Sequence, residues 1–232
     1  MTTEFRFKQF IVKHDRCAMK VGTDGVLLGS WVSPEGKRAL DIGCGTGLIA
    51  LMLAQRNPNL NIIGIDIDEE AVEQAKENAE NSRWNERIEI KKHDFNDDFL
   101  SSEPFDLIVS NPPFYKEDTT CPDQTRNKAR HSSSLPISVL MEKSSKLLSP
   151  QGKVAVIVPY SAATDTISEA AIAGLYLRRR TDVKTTPRKA TIRVMLEFSR
   201  DIEPATRNEL LLRDETGEWS KEYKLLTQDF YL

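Results

Sequence analysis

The sequence predicts an α/β domain built on a mainly parallel seven-stranded sheet whose last strand runs antiparallel. Two observations carry this. Short apolar runs rich in Ile and Val alternate with helix-like segments from about residue 38 to residue 174, the signature of repeated βα units. Two further apolar runs, 175–183 and 192–198, sit close together with Pro187 and Lys189 between them, which reads as a closing hairpin.

Taken in order, the run ALDI at 39–42 is the first strand and LIALMLAQ at 48–55 the helix that follows its glycines. NIIGI at 61–65 is the second strand, and 69–81 is a helix with Asp68 as its N-cap. RIEIK at 87–91 and FDLIVS at 105–110 are strands, 137–148 is a helix, 153–159 a strand and 164–173 a helix. Between them, residues 114–135 have few apolar side chains and no sustained period. That is a long loop, and loops longer than about 12 to 15 residues inside compact domains usually carry function or disorder.

A chain of 232 residues with 39% hydrophobic side chains can bury one α/β core on both sides of a sheet. No run approaches the roughly 18 to 20 apolar residues that span a bilayer, and the start MTTEFRFKQF has no signal-peptide pattern; a cytoplasmic protein is expected. Cys17, Cys44 and Cys121 are odd in number and form no CxxC pair, and His14, His93 and His131 are scattered. Neither a disulfide framework nor a metal site is expected.

The net charge of −3 argues against a protein that coats nucleic acid through bulk positive charge. The distribution says more. Residues 66–106 hold 14 acidic and 5 basic side chains, whereas 107–200 hold 15 basic and 8 acidic. A locally basic face can hold a phosphate backbone, although such runs also serve as plain solvated surface.

The stretch ALDIGCGTG puts Asp41, Gly43, Gly45 and Gly47 between the first strand and a helix, where glycine lets the backbone approach a ligand closely. A nucleotide-like cofactor is expected there. Asp66 ends the next strand, where a carboxylate can accept ribose hydroxyls, and Asp94 follows the third strand. Asp41 offers a counter-charge to a cationic cofactor. One βα unit later, FDLIVSNPPF ends a strand in Asn111, Pro112, Pro113 and Phe114, at the carboxyl edge where open α/β sheets bind ligands. Two prolines fix two φ angles and donate no hydrogen bond, so this stretch can present carbonyl oxygens rigidly. Phe114 is placed to stack on a base. Taken singly, a glycine turn and an Asn-Pro-Pro turn also occur as ordinary structure.

The spacing DxGxGxG resembles motif I of class I methyltransferases, and the pair of motifs resembles the NPP(F/Y) amino methyltransferases. This implies a Rossmann-like class I methyltransferase fold with S-adenosylmethionine as cofactor, Asp94 set against its adenine amino group, and a planar exocyclic nitrogen as acceptor. The amino-terminal FKQFIVKHDRCAMKVGTDGVLLGSW resembles the bacterial tRNA1(Val) adenine-N6 methyltransferase family, which implies methylation of adenine 37 in a tRNA anticodon loop. In that resemblance Lys20, Gly22, Thr23 and Asp24 cap the cofactor pocket. On the residues alone they can equally open a helix at Asp24 whose buried face is Leu27, Leu28 and Trp31.

Residues 1–37 are then an arm and helix covering the cofactor pocket, 38–200 the core, and 201–232 an extension packed on it. Candidate RNA contacts are Arg16 in the arm, Arg126, Lys128 and Arg130 in the long loop, and Arg188 and Lys189 at the last hairpin. The expected partner is tRNA, with nothing pointing to an obligate protein partner. Guanine-N2 methylation of rRNA fits the same NPPF stretch but more often accompanies a duplicated domain. Glutamine-N5 enzymes usually carry NPPY and a helical amino-terminal domain, and a non-catalytic cofactor- or RNA-binding domain has no need of an intact NPPF.

Overall fold

The computed structural model describes residues 3–17, 20–99, 101–114 and 135–231. In chain order the elements are β1 (Glu4–Arg6), β2 (Ile11–Lys13), α1 (Thr23–Trp31), β3 (Arg38–Ile42), α2 (Leu48–Arg56), β4 (Asn61–Asp66), α3 (Glu69–Glu80), β5 (Ile88–Lys92) and β6 (Phe105–Ser110). Then come α4 (Ile137–Leu147), β7 (Leu148–Pro159), α5 (Ala163–Ile172), β8 (Tyr176–Lys184), β9 (Thr191–Ser199), β10 (Thr206–Leu211) and α6 (Lys221–Thr227).

Eight strands make one sheet in the order β10-β8-β9-β7-β6-β3-β4-β5, and β1 pairs with β2 apart from it. β9 runs antiparallel to both of its neighbours, and every other pair in the large sheet is parallel. A parallel sheet covered on both faces needs strands apolar on both sides. β6 shows it: Leu107 and Val109 face one core, with α1, α2 and α3, while Ile108 faces the other, with α4 and α5. From β3 the chain builds outward through β4 to β5, then returns to β6 on the other flank of β3. The carboxyl ends of β3 and β6 therefore bound a topological switch point, where such sheets open a crevice.

The seven expected strands are joined by an eighth, β10, which pairs in parallel with β8. Its sequence TRNELL buries only Leu210, so an edge strand with little apolar content gave no readable pattern. β7 begins at Leu148, ahead of the expected 153, because Leu148 already pairs with Phe105 before the ladder jumps to Leu107 and Lys153. Helix α1 is not amphipathic as the sequence implied. Gly25 through Trp31 are all buried, since it lies among α2, β7 and α6. Trp31 fixes it: Nε1 donates to Thr181 Oγ1 at 2.9 Å, and the Arg179 guanidinium sits 3.7 Å over the ring while pairing with Glu197 at 2.9 Å.

The two ends of the chain pack together. Phe7 lies 4.7 Å from Phe10 and 5.9 Å from Tyr231, and the Lys8 amide donates to the Phe230 carbonyl at 2.8 Å. Among the described residues no helix is long and apolar enough to cross a membrane.

Candidate active site

The glycine turn is pinned to the end of β4. The amides of Gly43 and Cys44 both donate to the Ile65 carbonyl, at 2.9 and 3.0 Å, and the Gly47 amide closes onto Cys44 at 2.8 Å. All three glycines hold positive φ, +68°, +52° and +77°, a region closed to most side chains. A Cβ built on Gly43 or Gly45 meets nothing within 4 Å, so both border open space, whereas one on Gly47 comes 3.3 Å from Ala75 Cβ. Gly47 thus serves the packing of α2 on α3, and Gly43 and Gly45 face a cavity.

That cavity is lined on one side by Gly43, Gly45, Asp66, Ile67 and Asp68, on a second by His93, Asp94, Phe95 and Asn96, and on a third by Ser110, Asn111, Pro112 and Pro113. Asp66 closes β4 with both oxygens engaged: Oδ2 accepts from the Gly45 amide at 2.8 Å and Oδ1 from the Asp68 amide at 3.0 Å. Burial raises its pKa against the lowering effect of those amides. Asp68 in turn caps α3 by accepting from the Glu70 amide at 3.0 Å, as its place in the sequence implied. Asp94 holds Asn96 through Oδ1, which accepts from both the backbone and side-chain nitrogens at 2.9 Å.

Asn111, Pro112 and Pro113 leave β6 directly into this cavity. Pro112 is buried, and Phe114 is half-buried against the α4 and α5 side of the core. The strand end is held by Ser110, whose hydroxyl donates to the Ile42 carbonyl at 2.8 Å. The two halves of the sequence pattern, tied by this bond across 68 residues of chain, thereby share one crevice.

Other expected contacts lie elsewhere. Asp41 is fully buried beneath the turn and outside the cavity wall, with Oδ2 accepting from the Ala50 amide at 3.2 Å; burial pushes its carboxyl up to about 7. Lys20 and Thr23 are exposed and, like Asp24, are not part of the cavity wall. Asp24 accepts from Arg193 Nε at 2.8 Å, an ion pair between α1 and β9. Arg16 pairs with Glu77 at 3.2 Å, so its charge is partly spent on α3. Arg188 and Lys189 are exposed on the β8–β9 turn. Arg126, Lys128 and Arg130 lie outside the described residues.

The sequence reading missed several wall residues. Cys17 reaches the cavity from the arm, and burial first, then Asp66, pushes its thiol up to about 12. Asn78 explains how the arm gets there: it accepts from the Lys13 amide at 2.9 Å and donates to the carbonyls of Lys13 and Thr46, each at 2.9 Å. One buried amide thus joins the arm, α3 and the glycine turn. Ile67, 43% exposed and set between two acids, is an apolar cavity wall. Its signal in the sequence was only an apolar residue set between two acids where the strand ends. Among the described residues no three His, Cys, Asp or Glu side chains gather as a metal group.

Comparison with known proteins gives the family and the fold. Residues 18–164 match the Methyltransferase small domain family. The chain is 46% identical to a protein of Bacteroides thetaiotaomicron named tRNA1(Val) (adenine(37)-N6)-methyltransferase, over 98% of this chain and 97% of that one. It is 43% identical to a protein of the same name from Tolumonas auensis, over 98% and 96%. Among solved structures, a predicted O-methyltransferase from Agrobacterium tumefaciens superposes with a TM-score of 0.70 over 89% of this chain and 96% of that one. At 16% identity that likeness speaks for the fold alone.

Proposed function

The chain belongs to the tRNA1(Val) (adenine(37)-N6)-methyltransferase family, and on that premise we propose that it methylates N6 of adenine 37 in tRNA1(Val), with S-adenosylmethionine as the methyl donor. The observation that carries the reading is the single cavity shared by Gly43, Gly45, Asp66 and Asp94 on one side and Asn111-Pro112-Pro113 on the other. We place the enzyme in the cytoplasm with its tRNA.

The residues suit the cofactor. The open space at Gly43 and Gly45 admits a ligand against the backbone, and Asp66 and Asp94 supply acceptors for its ribose hydroxyls and adenine amino group. S-adenosylmethionine, when bound, supplies an electrophilic methyl on a sulfonium. Asp41 acts from beneath the turn by fixing the start of α2, not by touching the ligand.

The acceptor nitrogen is conjugated to the adenine ring and is a poor nucleophile. The Asn111 side-chain oxygen and the Pro112 carbonyl accept its two N–H groups and push electron density back onto nitrogen as it attacks, which is stabilisation of the charge that develops in the transition state. Phe114 stacks on the flipped base. The methylated nitrogen is strongly acidic until it loses its proton, so a general base of tuned pKa is unnecessary, and the protein acts mainly by orientation. An anticodon loop suits this chemistry, since its bases can be splayed out without melting a helix.

The test is transfer of tritiated methyl to total tRNA and total rRNA, followed by nucleoside analysis. N6-methyladenosine in tRNA is expected. N2-methylguanosine in rRNA, or no transfer at all, overturns the reading.

A further inference from the structure

Tyr160 follows directly on the end of β7, the strand beside β6. It keeps 52% of its surface in solvent. Across the antiparallel β7–β9 ladder the last paired residues are Pro159 and Arg193; directly after that pair Tyr160 opens a 3-10 turn (Tyr160–Ala162) that packs against β9, where Ile192, the residue before Arg193, is 41% exposed. A single exposed apolar side chain needs no explanation. Two large ones close together at the carboxyl edge, one just past the end of β7 beside β6 and one at the start of β9 beyond it, form an apolar step.

The register sets its position. Ser110 pairs with Val156 and β7 runs on to Pro159, so Tyr160 opens its turn at the same edge as Asn111, past the level at which β6 ends. A cation stands near it: the Arg180 guanidinium lies 5.9 Å from the ring centroid and is tethered to Asp182 at 2.8 Å. The turn between β8 and β9 lies at the same edge, because β8 runs parallel to β6 and β7, and it carries the exposed Arg188 and Lys189. An aromatic face with a tethered guanidinium beside it, at the edge that also carries the base pocket and two exposed cations, matches a single-stranded nucleic acid: bases stack on aromatic rings and phosphates meet cations.

We propose that Tyr160, with Ile192 close by, is the shelf on which a nucleotide flanking the target adenine stacks, making Tyr160 a positioning residue for the RNA. The proposal rests on the reading of the substrate as tRNA.

The experiment measures KM and kcat separately for a tRNA1(Val) transcript, at two salt concentrations, with the parent, Tyr160→Ala and Tyr160→Phe. A stacked base contributes ~1–3 kcal/mol, so Tyr160→Ala raises the KM for tRNA by between about fivefold and 150-fold. Turnover at saturating tRNA and the affinity for S-adenosylmethionine stay at the parent's values. The salt dependence keeps its slope, because the ring meets a base and not a phosphate, and Tyr160→Phe recovers most of the KM. Should Tyr160→Ala lose cofactor binding through misfolding, Ile192→Ser reports on the same shelf with a smaller rise in KM. A parent-like KM in Tyr160→Ala, or a phenylalanine variant as weak as the alanine one, overturns the shelf and leaves the function standing. A parent that does not methylate tRNA overturns the function and the shelf with it.

Discussion

The amide of Gly45 donates to Oδ2 of Asp66 at 2.8 Å, so the turn after β3 and the acid ending β4 are set by one another. Asp66→Ala removes an acceptor for the ribose and loosens the turn. We expect cofactor affinity to fall by ~1–3 kcal/mol, the cost of leaving donors unsatisfied. Titration calorimetry reads this directly, and unchanged affinity removes Asp66 from the cofactor site.

Asn111 faces the acceptor base in the proposed mechanism and leaves the cofactor walls intact. Asn111→Ala should lower kcat by a factor of about 100 or more with nearly parental cofactor affinity, as expected when transition-state polarisation is removed. Equal loss of binding and turnover would count against this role.

Asp41 gives a pH signature. Burial raises its carboxyl from 3.8 to about 7 in the fold, so the folded state holds the proton more tightly than the unfolded chain. Stability from this group is therefore greatest below about pH 4 and is lost as pH rises through about 7, by about 4 kcal/mol in all. Asp41→Asn should flatten that part of the profile of denaturant midpoint against pH. A slope that survives in the variant would assign the titration elsewhere.

Asn78 should matter to both stability and binding. Asn78→Ala leaves buried backbone groups of Lys13 and Thr46 without partners, a loss of ~1–3 kcal/mol in unfolding free energy. Because the arm brings Cys17 to the cavity, S-adenosylmethionine affinity should fall as well. Wild-type affinity in a destabilised variant would show that the arm is dispensable for the cofactor.

The basic segments predict a salt effect. Replacing Arg188 and Lys189 by alanine, or Arg126, Lys128 and Arg130 together, should weaken tRNA binding and flatten its log–log salt dependence by roughly 0.7 to 0.9 for each phosphate no longer neutralised. Cofactor binding should be spared. Fluorescence titrations at several salt concentrations check this, and an unchanged slope returns these side chains to plain solvated surface.

What the sequence disclosed, and what it withheld, follows from range. Leu107, Ile108 and Val109 are buried on both faces, so their strand was visible as an apolar run, and Gly43 and Gly45 were visible because few residues but glycine fit that turn. β10 escaped because an edge strand with one buried leucine has no period to detect. Asp24 was set at the cofactor pocket by the family resemblance alone, and nothing in its own neighbourhood announced an ion pair. Its partner, Arg193, is 169 residues away and arrives only through the packing of α1 against the sheet. Asn78 gave no signal for the same reason: its hydrogen bonds reach 32 and 65 residues along the chain.

The clasp between Phe7, Phe230 and Tyr231 has a consequence for synthesis on the ribosome. The arm is made more than 220 residues ahead of its partners Phe230 and Tyr231. At about 5 to 20 residues per second, the amino-terminal hairpin waits on the order of 10 to 45 seconds for them. Over that interval its phenylalanines are open to chaperones or to neighbouring nascent chains. A stop codon ahead of residue 230 would leave the arm without its clasp, more than 220 residues along the chain from the lesion.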